Sequence, residues 1–121
     1  MIGYAVCGSF CTHARALDTL RNLLARGHDI QPIVSEIVYA TDTRFGRAAD
    51  FIEELEDLCG RKTIHTIAAA EPLGPKTPLD LLIIAPCTGN TLAKMANGIT
   101  DTSVTMAAKA QLRADRPVLL G

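Results

Sequence analysis

Two short turns carry the residues best suited to chemistry. The first is Gly8-Ser9-Phe10-Cys11-Thr12-His13, and the second is Cys87-Thr88-Gly89-Asn90-Thr91. Both are built from small and hydroxyl-bearing residues, and neither contains a carboxylate. Small residues let backbone N–H groups approach an anion, and the hydroxyls of Ser9, Thr12 and Thr88 can add donors. Asn90 both donates and accepts, which suits a polar ring edge or a substrate carboxylate. This is the chemistry of a phosphate or carboxylate cradle. Alone, the first turn is a weak signal. It lacks Gly-x-Gly-x-x-Gly and matches no Walker spacing, so an ordinary strand-to-helix turn is the competing reading. A second turn of the same type strengthens it.

Other candidates carry less. Arg44 and Lys76 are loop cations that can bind a substrate carboxylate, though solvation alone explains a loop cation. His13 can serve as a general base or phosphate contact, or simply be exposed at a helix start. His28 follows Gly27 in a turn, and His65 lies in a weak apolar stretch. Glu53, Glu54, Glu56 and Asp57 fit the wet face of a helix. Cys7 and Cys11 are not joined by a second Cys/His pair, so no zinc site is expected. Cys59 and Cys87 complete a set of four cysteines that read as free thiols. No Ser-His-Asp or paired-carboxylate constellation can be assembled.

The elements that must position these turns alternate along the chain. Ile2 to Cys7 is a short apolar strand, and a helix follows from Thr12 or His13 to about Arg26, stopped by Gly27. Asp29 to Ser35 is a second strand, with Pro32 tolerable only near an edge or strand start. Glu36 to Arg44 reads as a polar connection, and Phe45 to Cys59 as a helix ended by Gly60. Thr63 to Ile67 is a weak third strand, and Ala68 to Pro78 a proline-rich loop. Leu81 to Ala85 is a continuous apolar run, the pattern of a strand buried on both faces. Thr91 to Gly98 and Thr102 to Ala114 are helical, and Val118 to Leu120 is a last strand.

This alternation predicts an α/β fold, a doubly wound parallel sheet of flavodoxin-like, three-layer form with strand order 3-2-1-4-5. The two turns would then meet at the switch point where such sheets bind ligands. Ser35 would border the same crevice. The chain is expected to form a single domain over residues 1–121. A doubly wound domain normally covers its last strand with a further helix, so a continuation beyond Gly121 is expected.

Composition limits the alternatives. The 121 residues are 48% hydrophobic and 21% charged, with a net charge of −1. That is globular, and it offers no electrostatic attraction to nucleic acid or an anionic membrane. No apolar run approaches the roughly 20 residues of a membrane helix, and the N-terminus lacks a signal-peptide pattern. A cytoplasmic protein is expected.

The stretch from Ala85 to Asp101, APCTGNTLAKMANGITD, resembles the Pro-Ala-Ser-Ala-Asn-Thr segment of the homo-oligomeric flavin-containing cysteine decarboxylase family. Further stretches narrow the likeness. They are Gly8-Ser9 with Cys11-Thr12, the TDTRFG run from Thr41 to Gly46, and Glu56-Asp57-Leu58. To these add AEPLGPK from Ala70 to Lys76, Met106 to Ala110, and Arg116-Pro117-Val118. Together they resemble the dipicolinate synthase B-subunit branch, with TRFG and AEPLGPK as its specific marks.

The resemblance implies a flavoprotein oxidoreductase of sporulation. With a pyridine-nucleotide-binding A subunit, which would hold NAD(P), it would oxidise dihydrodipicolinate, a small dicarboxylate, to dipicolinate. It implies FMN as cofactor, with Ser9, Ser35, Thr88, Asn90 and Asp101 at the flavin-site positions and Asn90 as the catalytic candidate. From the turns themselves, Gly8, Thr12 and Gly89 join the cofactor set. Two departures stand out. Pro72 occupies the place of the decarboxylases' catalytic histidine, which speaks against decarboxylation. Cys87-Thr88-Gly89 replaces the usual Ala-Ser-Ala. The competing function is a non-catalytic flavodoxin-like subunit that stabilises or regulates the A subunit. Wide apolar stripes on the helices starting near Phe45 and Thr102 predict at least a dimer.

Overall fold

The computed structural model describes residues 1–121. Its elements run β1 Ile2–Val6, α1 His13–Ala25, β2 Ile30–Val34, α2 Glu36–Ala40 and α3 Ala48–Cys59. Then come α4 Ile67–Ala70, β3 Leu81–Ile84, α5 Gly89–Ala96, α6 Ser103–Arg113 and β4 Val118–Leu120. The sheet is fully parallel, in the order β2-β1-β3-β4. Outside β2, Ile64 makes a single parallel bridge to Ile33. The expected five-strand order is therefore present, with its third member reduced to one bridge. Physical causes lie on both sides of Ile64. The Thr63 amide donates to Glu56 Oε2 at 2.7 Å, and Thr66 caps α4 by accepting from the Ala69 amide at 3.1 Å.

Three boundaries differ from expectation. The polar connection after β2 begins with α2, because the Ser35 hydroxyl accepts from the Val38 amide and supplies a helix cap. The proline-rich loop contains α4 and a 3₁₀ turn over Glu71–Leu73. Three alanines favour the helix there, and Pro72 sits in a first turn, where its missing N–H does no harm. Finally, α3 starts at Ala48, not near Phe45. Asp42 Oδ1 accepts from the Ala48 amide at 2.8 Å, across a tight turn bridged at Thr43 and Gly46.

The period-two alternation of the strands splits the core into two layers. Ala5 and Cys7 of the β1 segment, Ile33 of β2, and Leu82 and Ile84 of β3 pack against Ala70, Leu73, Val104, Ala107 and Ala108. Tyr4, Val6, Ile30 and Val34 pack on the other face against Leu17 and Leu20 of α1 and Ile52 and Leu55 of α3. Each fully buried aliphatic side chain contributes roughly 1.5–3 kcal/mol. Pro32 is accommodated because β2 meets only the single bridge on its outer side, where the Pro32 carbonyl still accepts from the Ile64 amide at 3.0 Å.

The N-terminal end of the sheet is closed. Gln111 Nε2 donates to the Leu79 and Pro117 carbonyls, both at 3.0 Å, tying α6 to the starts of β3 and β4. Gly74 lies so close to α6 that an added Cβ would sit 2.6 Å from the Ala110 carbonyl oxygen.

Candidate functional site

The C-terminal end of the sheet is open. β1 leads to α1 on one face, and β3 leads to α5 and α6 on the other. The two turns that follow β1 and β3 therefore part at the switch point and flank one crevice. The first turn, Gly8 to Thr12, ends in a 3₁₀ turn over Phe10–Thr12. The amides of Gly8, Ser9, Phe10 and Cys11 have no acceptor within the protein, and neither do those of Gly89 and Asn90, whereas the Thr88 amide is directed at the Cys7 thiol. A Cβ added to Gly89 would meet nothing within 4 Å, so this turn faces open space.

A hydroxyl–thiol chain stitches the turns together. Thr91 Oγ1 donates to Cys7 Sγ at 3.3 Å, and Thr88 Oγ1 donates to Thr91 Oγ1 at 3.1 Å. The Thr91 amide donates to Thr88 Oγ1 at 3.2 Å, which caps α5. Burial pushes the Cys7 thiol up, against the Thr91 hydrogen bond that favours its thiolate. Cys7 is therefore a structural neutral group beneath the crevice.

On the β2 side, Ser35 is buried and caps α2. The Glu36 carboxylate accepts from the Ser103 amide at 3.0 and 3.1 Å and from the Ser103 hydroxyl at 3.0 Å. The Ser103 hydroxyl also lies 2.5 Å from the Val34 carbonyl. Sequence reasoning missed this clamp between β2 and α6. Its signals were present, an acid beside Ser35 and a Thr102/Thr105 capping box at the α6 start, but 67 positions separate the partners.

Of the predicted site residues, Gly8 and Ser9 lie on the turn after β1, Thr88, Gly89 and Asn90 on the turn after its neighbour β3, and Ser35 directly after β2, all at the C-terminal end of the sheet. The side chains of Ser9 and Asn90 make no hydrogen bond within the protein, whereas those of Thr12 and Thr88 are engaged. The Thr12 hydroxyl donates to the Ser9 carbonyl at 2.8 Å. Asp101 precedes α6 and pairs with Lys94 at 2.9 Å. Arg44 stands on the turn between α2 and α3 with its guanidinium 5.0 Å from the Phe45 ring centre. That turn borders a cavity of about 150 Å³ walled by Phe10, His13, Phe45 and Phe51. Lys76 is not brought to the crevice. It precedes the start of β3, at the closed end of the sheet, because the AEPLGPK stretch packs on α6 near Ala110.

His13 has a structural place. Its ring stacks on Phe51, with centres 4.5 Å apart, and Nε2 lies 3.0 Å from the Cys7 carbonyl. The carbonyl can only accept, so Nε2 carries the hydrogen. Burial holds the imidazole below its usual range, partly offset by that bond. His65 stacks on Tyr39 at the sheet edge. Cys59, half-buried at the end of α3, is pushed up to about 11 by desolvation, against the opposing charge of Arg61.

Known proteins share this fold. The chain is 47% identical over 120 residues to the B subunit of dipicolinate synthase from Bacillus subtilis, covering 99% of this chain and 60% of that protein. The crystal structure of the dipicolinate synthase B subunit from Bacillus halodurans superposes with a TM-score of 0.86 at 40% identity, covering 99% of this chain and 62% of that one. An FMN-dependent cysteine decarboxylase superposes with a TM-score of 0.71 at 26% identity, covering 98% and 65%. The chain thus spans about three-fifths of the length of its curated relative. The model of the family described as Flavoprotein matches residues 1–121, and the chain belongs to that family.

Proposed function

We propose that the chain is the FMN-holding part of a dipicolinate synthase B subunit, acting in the cytoplasm during sporulation. It would work with an A subunit that holds NAD(P) to oxidise dihydrodipicolinate to dipicolinate. The likeness to the Bacillus subtilis protein supports this reading. The observation that carries the site is the set of unpartnered amides at Gly8–Cys11 and at Gly89 and Asn90, on the turns that follow β1 and β3.

The donor set fits the group. A phosphate needs convergent N–H and O–H donors and no competing anion. The two turns supply these amides together with the free Ser9 hydroxyl. The nearby carboxylates of Glu36 and Asp101 are engaged by Ser103 and Lys94. Bare space at Gly89 leaves room for a flat ring. A bound flavin supplies a two-electron acceptor for ring aromatisation. Within the chain, Gly8 and Ser9 would hold the phosphate, with Thr12 beside them. Gly89 and Asn90 would border the ring, and the free Asn90 amide would orient the ring edge or a substrate carboxylate. Ser35 and Asp101 would close the sides, and Arg44 would offer a carboxylate partner at the rim. Exposed Phe45 and Leu112, 57% and 58% accessible, support self-association.

One observation favours the non-catalytic reading. The Thr88 hydroxyl, at a flavin-site position of the related proteins, is engaged in capping α5 and bonding Thr91. Titrating FMN into the wild type and Ser9→Asp decides. A charge at about 4 Å from the phosphate costs roughly 4 kcal/mol at an effective dielectric near 20, so the variant should bind orders of magnitude more weakly. Equal affinity removes the phosphate from this turn, and no binding by the wild type favours the non-catalytic, regulatory role.

A further inference from the structure

All three phenylalanines of the chain, Phe10, Phe45 and Phe51, wall one cavity. It lies between the first turn, the start of α1, the turn joining α2 to α3, and the start of α3, toward the β2 edge of the sheet and away from β4. His13 adds a fourth ring, stacked on Phe51. None of the three phenylalanines is fully buried, although they are the largest apolar side chains of a chain without Trp. The core is filled by aliphatic residues and Tyr4 instead. Packing alone therefore does not account for the aromatic residues gathered here.

The cavity also has a charge. Arg47 lines it and forms no ion pair. Arg44, on the same turn, is likewise without an ion pair and holds its guanidinium 5.0 Å from the Phe45 ring centre. No carboxylate lines the cavity. Asp42, on the same turn, is turned to the Ala48 amide. Free guanidinium groups beside an aromatic wall suit a flat anion, because Arg pairs with a carboxylate through two parallel N–H donors.

Size narrows the ligand. The cavity measures about 150 Å³, and an apolar cavity of about 150 Å³ holds one benzene ring. Drug-sized ligands occupy about 300 Å³ or more, so a three-ring flavin does not fit. The cavity and the crevice are therefore separate seats with a shared wall, since Phe10 and Cys11 line the cavity and also carry free amides of the first turn. We propose that this cavity seats a six-membered-ring dicarboxylate, its ring among Phe10, His13, Phe45 and Phe51 and its carboxylates on Arg47 and Arg44. The ligand's identity rests on the proposed function, and its place rests on the cavity.

The test is titration of isophthalate into the chain, followed by the proton resonances of the histidine rings. Isophthalate carries two ring carboxylates at the spacing of dipicolinate and has no ring nitrogen to chelate a metal. Binding should shift the His13 ring protons and leave those of His28, in the turn between α1 and β2, unmoved. Glutarate, with two carboxylates and no ring, should bind at least about tenfold more weakly. Arg47→Gln should weaken isophthalate binding by about tenfold, and Arg47→Lys, which keeps the charge and loses the paired donors, should fall between. Phe45→Ala should weaken it by about fivefold. Both positions tolerate change, because the Arg47 side chain does not cap α3 and Phe45 is exposed, so the circular dichroism spectrum should stay the same. FMN is titrated separately into the same proteins. Isophthalate binding without FMN binding removes the flavin and leaves the cavity standing. FMN binding without isophthalate binding overturns the cavity alone, and binding of neither overturns both. Glutarate binding as tightly as isophthalate, or His13 resonances that do not respond, also overturns the cavity. So does an Arg47→Gln variant that loses FMN and keeps isophthalate, because Arg47 then serves the flavin phosphate.

Discussion

The two ends of the sheet use glycine in opposite ways. At the closed end, Gly74 lies against the α6 backbone, and a Cβ there would sit 2.6 Å from the Ala110 carbonyl oxygen. At the open end, Gly89 has nothing within 4 Å of the same built atom. The closed end satisfies carbonyls with a buried glutamine, while the open end leaves successive amides without acceptors. A glycine packed against backbone serves the fold, and the glycine beside empty space and free donors is where the proposed ligand would lie. The AEPLGPK stretch, specific as it is in sequence, belongs to the first kind at Gly74.

The sharpest way to break this contrast is at Gln111. Truncation to Ala removes the Gln111 bonds to both carbonyls, leaving Leu79 only the Arg116 guanidinium at 3.4 Å and Pro117 only the Leu82 amide at 3.2 Å, and opens a cavity beneath α6. We expect a loss of about 3 kcal/mol in unfolding free energy, with the crevice geometry unaffected in whatever remains folded. Urea unfolding measures it, and a loss under about 1 kcal/mol would mean that the closed end is not held by this side chain. Gly74→Ala should be next, at about 2 kcal/mol, from overpacking against a backbone atom that cannot rotate away.

Gly89→Ala tests the other end. Ala is a good helix former and meets no neighbour, so stability should change by less than about 0.5 kcal/mol. If flavin lies over this turn, a methyl group beneath it should weaken FMN binding by about tenfold, equivalent to roughly 1.4 kcal/mol. Unchanged binding would move the ring away from Gly89.

How much of this was legible in the sequence follows the same division. The strands were legible because Ile2–Val6 and Leu81–Ile84 are apolar runs buried between two layers, and the parallel order followed from their alternation with helices. The two turns were legible by their small and hydroxyl residues. The short helices were not. In α2, Ile37, Val38 and Tyr39 have modest helix propensity, and only the Ser35 cap and the Glu36 charge favour a turn there. Lys76 illustrates a different limit. Residue type marked it as an anion partner, but which end of the sheet a loop occupies depends on packing, here that of Gly74 on α6. The Glu36–Ser103 clamp depends on a contact between elements far apart in the chain.

The smallest expected effect is a pH dependence centred on His13, at the open end. The ring is stacked on Phe51 and bonded to the Cys7 carbonyl, and burial lowers its pKa in the fold. The unfolded chain keeps the ordinary value, about 6.5. The folded state therefore binds fewer protons near that pH, and stability falls as pH falls. The contribution is fully present above about 6.5 and is lost as pH drops through the lower folded value. Glu56, held down chiefly by the Thr63 amide, and Asp80, held down chiefly by the N-terminal ammonium, also destabilise the fold on protonation. They titrate in the carboxylate range, below the histidine window, so the two regimes separate. Urea midpoints of the wild type and His13→Gln at pH 7.5, 6.5 and 5.5 provide the measurement. The wild type should lose stability relative to the variant across that range, and parallel curves would show that protonating His13 does not strain the first turn. If the loss is seen and FMN binding weakens over the same interval, His13 sets the shape of the Gly8–Thr12 amides through its bond to Cys7. If stability falls while binding holds, the turn keeps its donors in place without the ring, and the open end is stiffer than its missing contacts suggest.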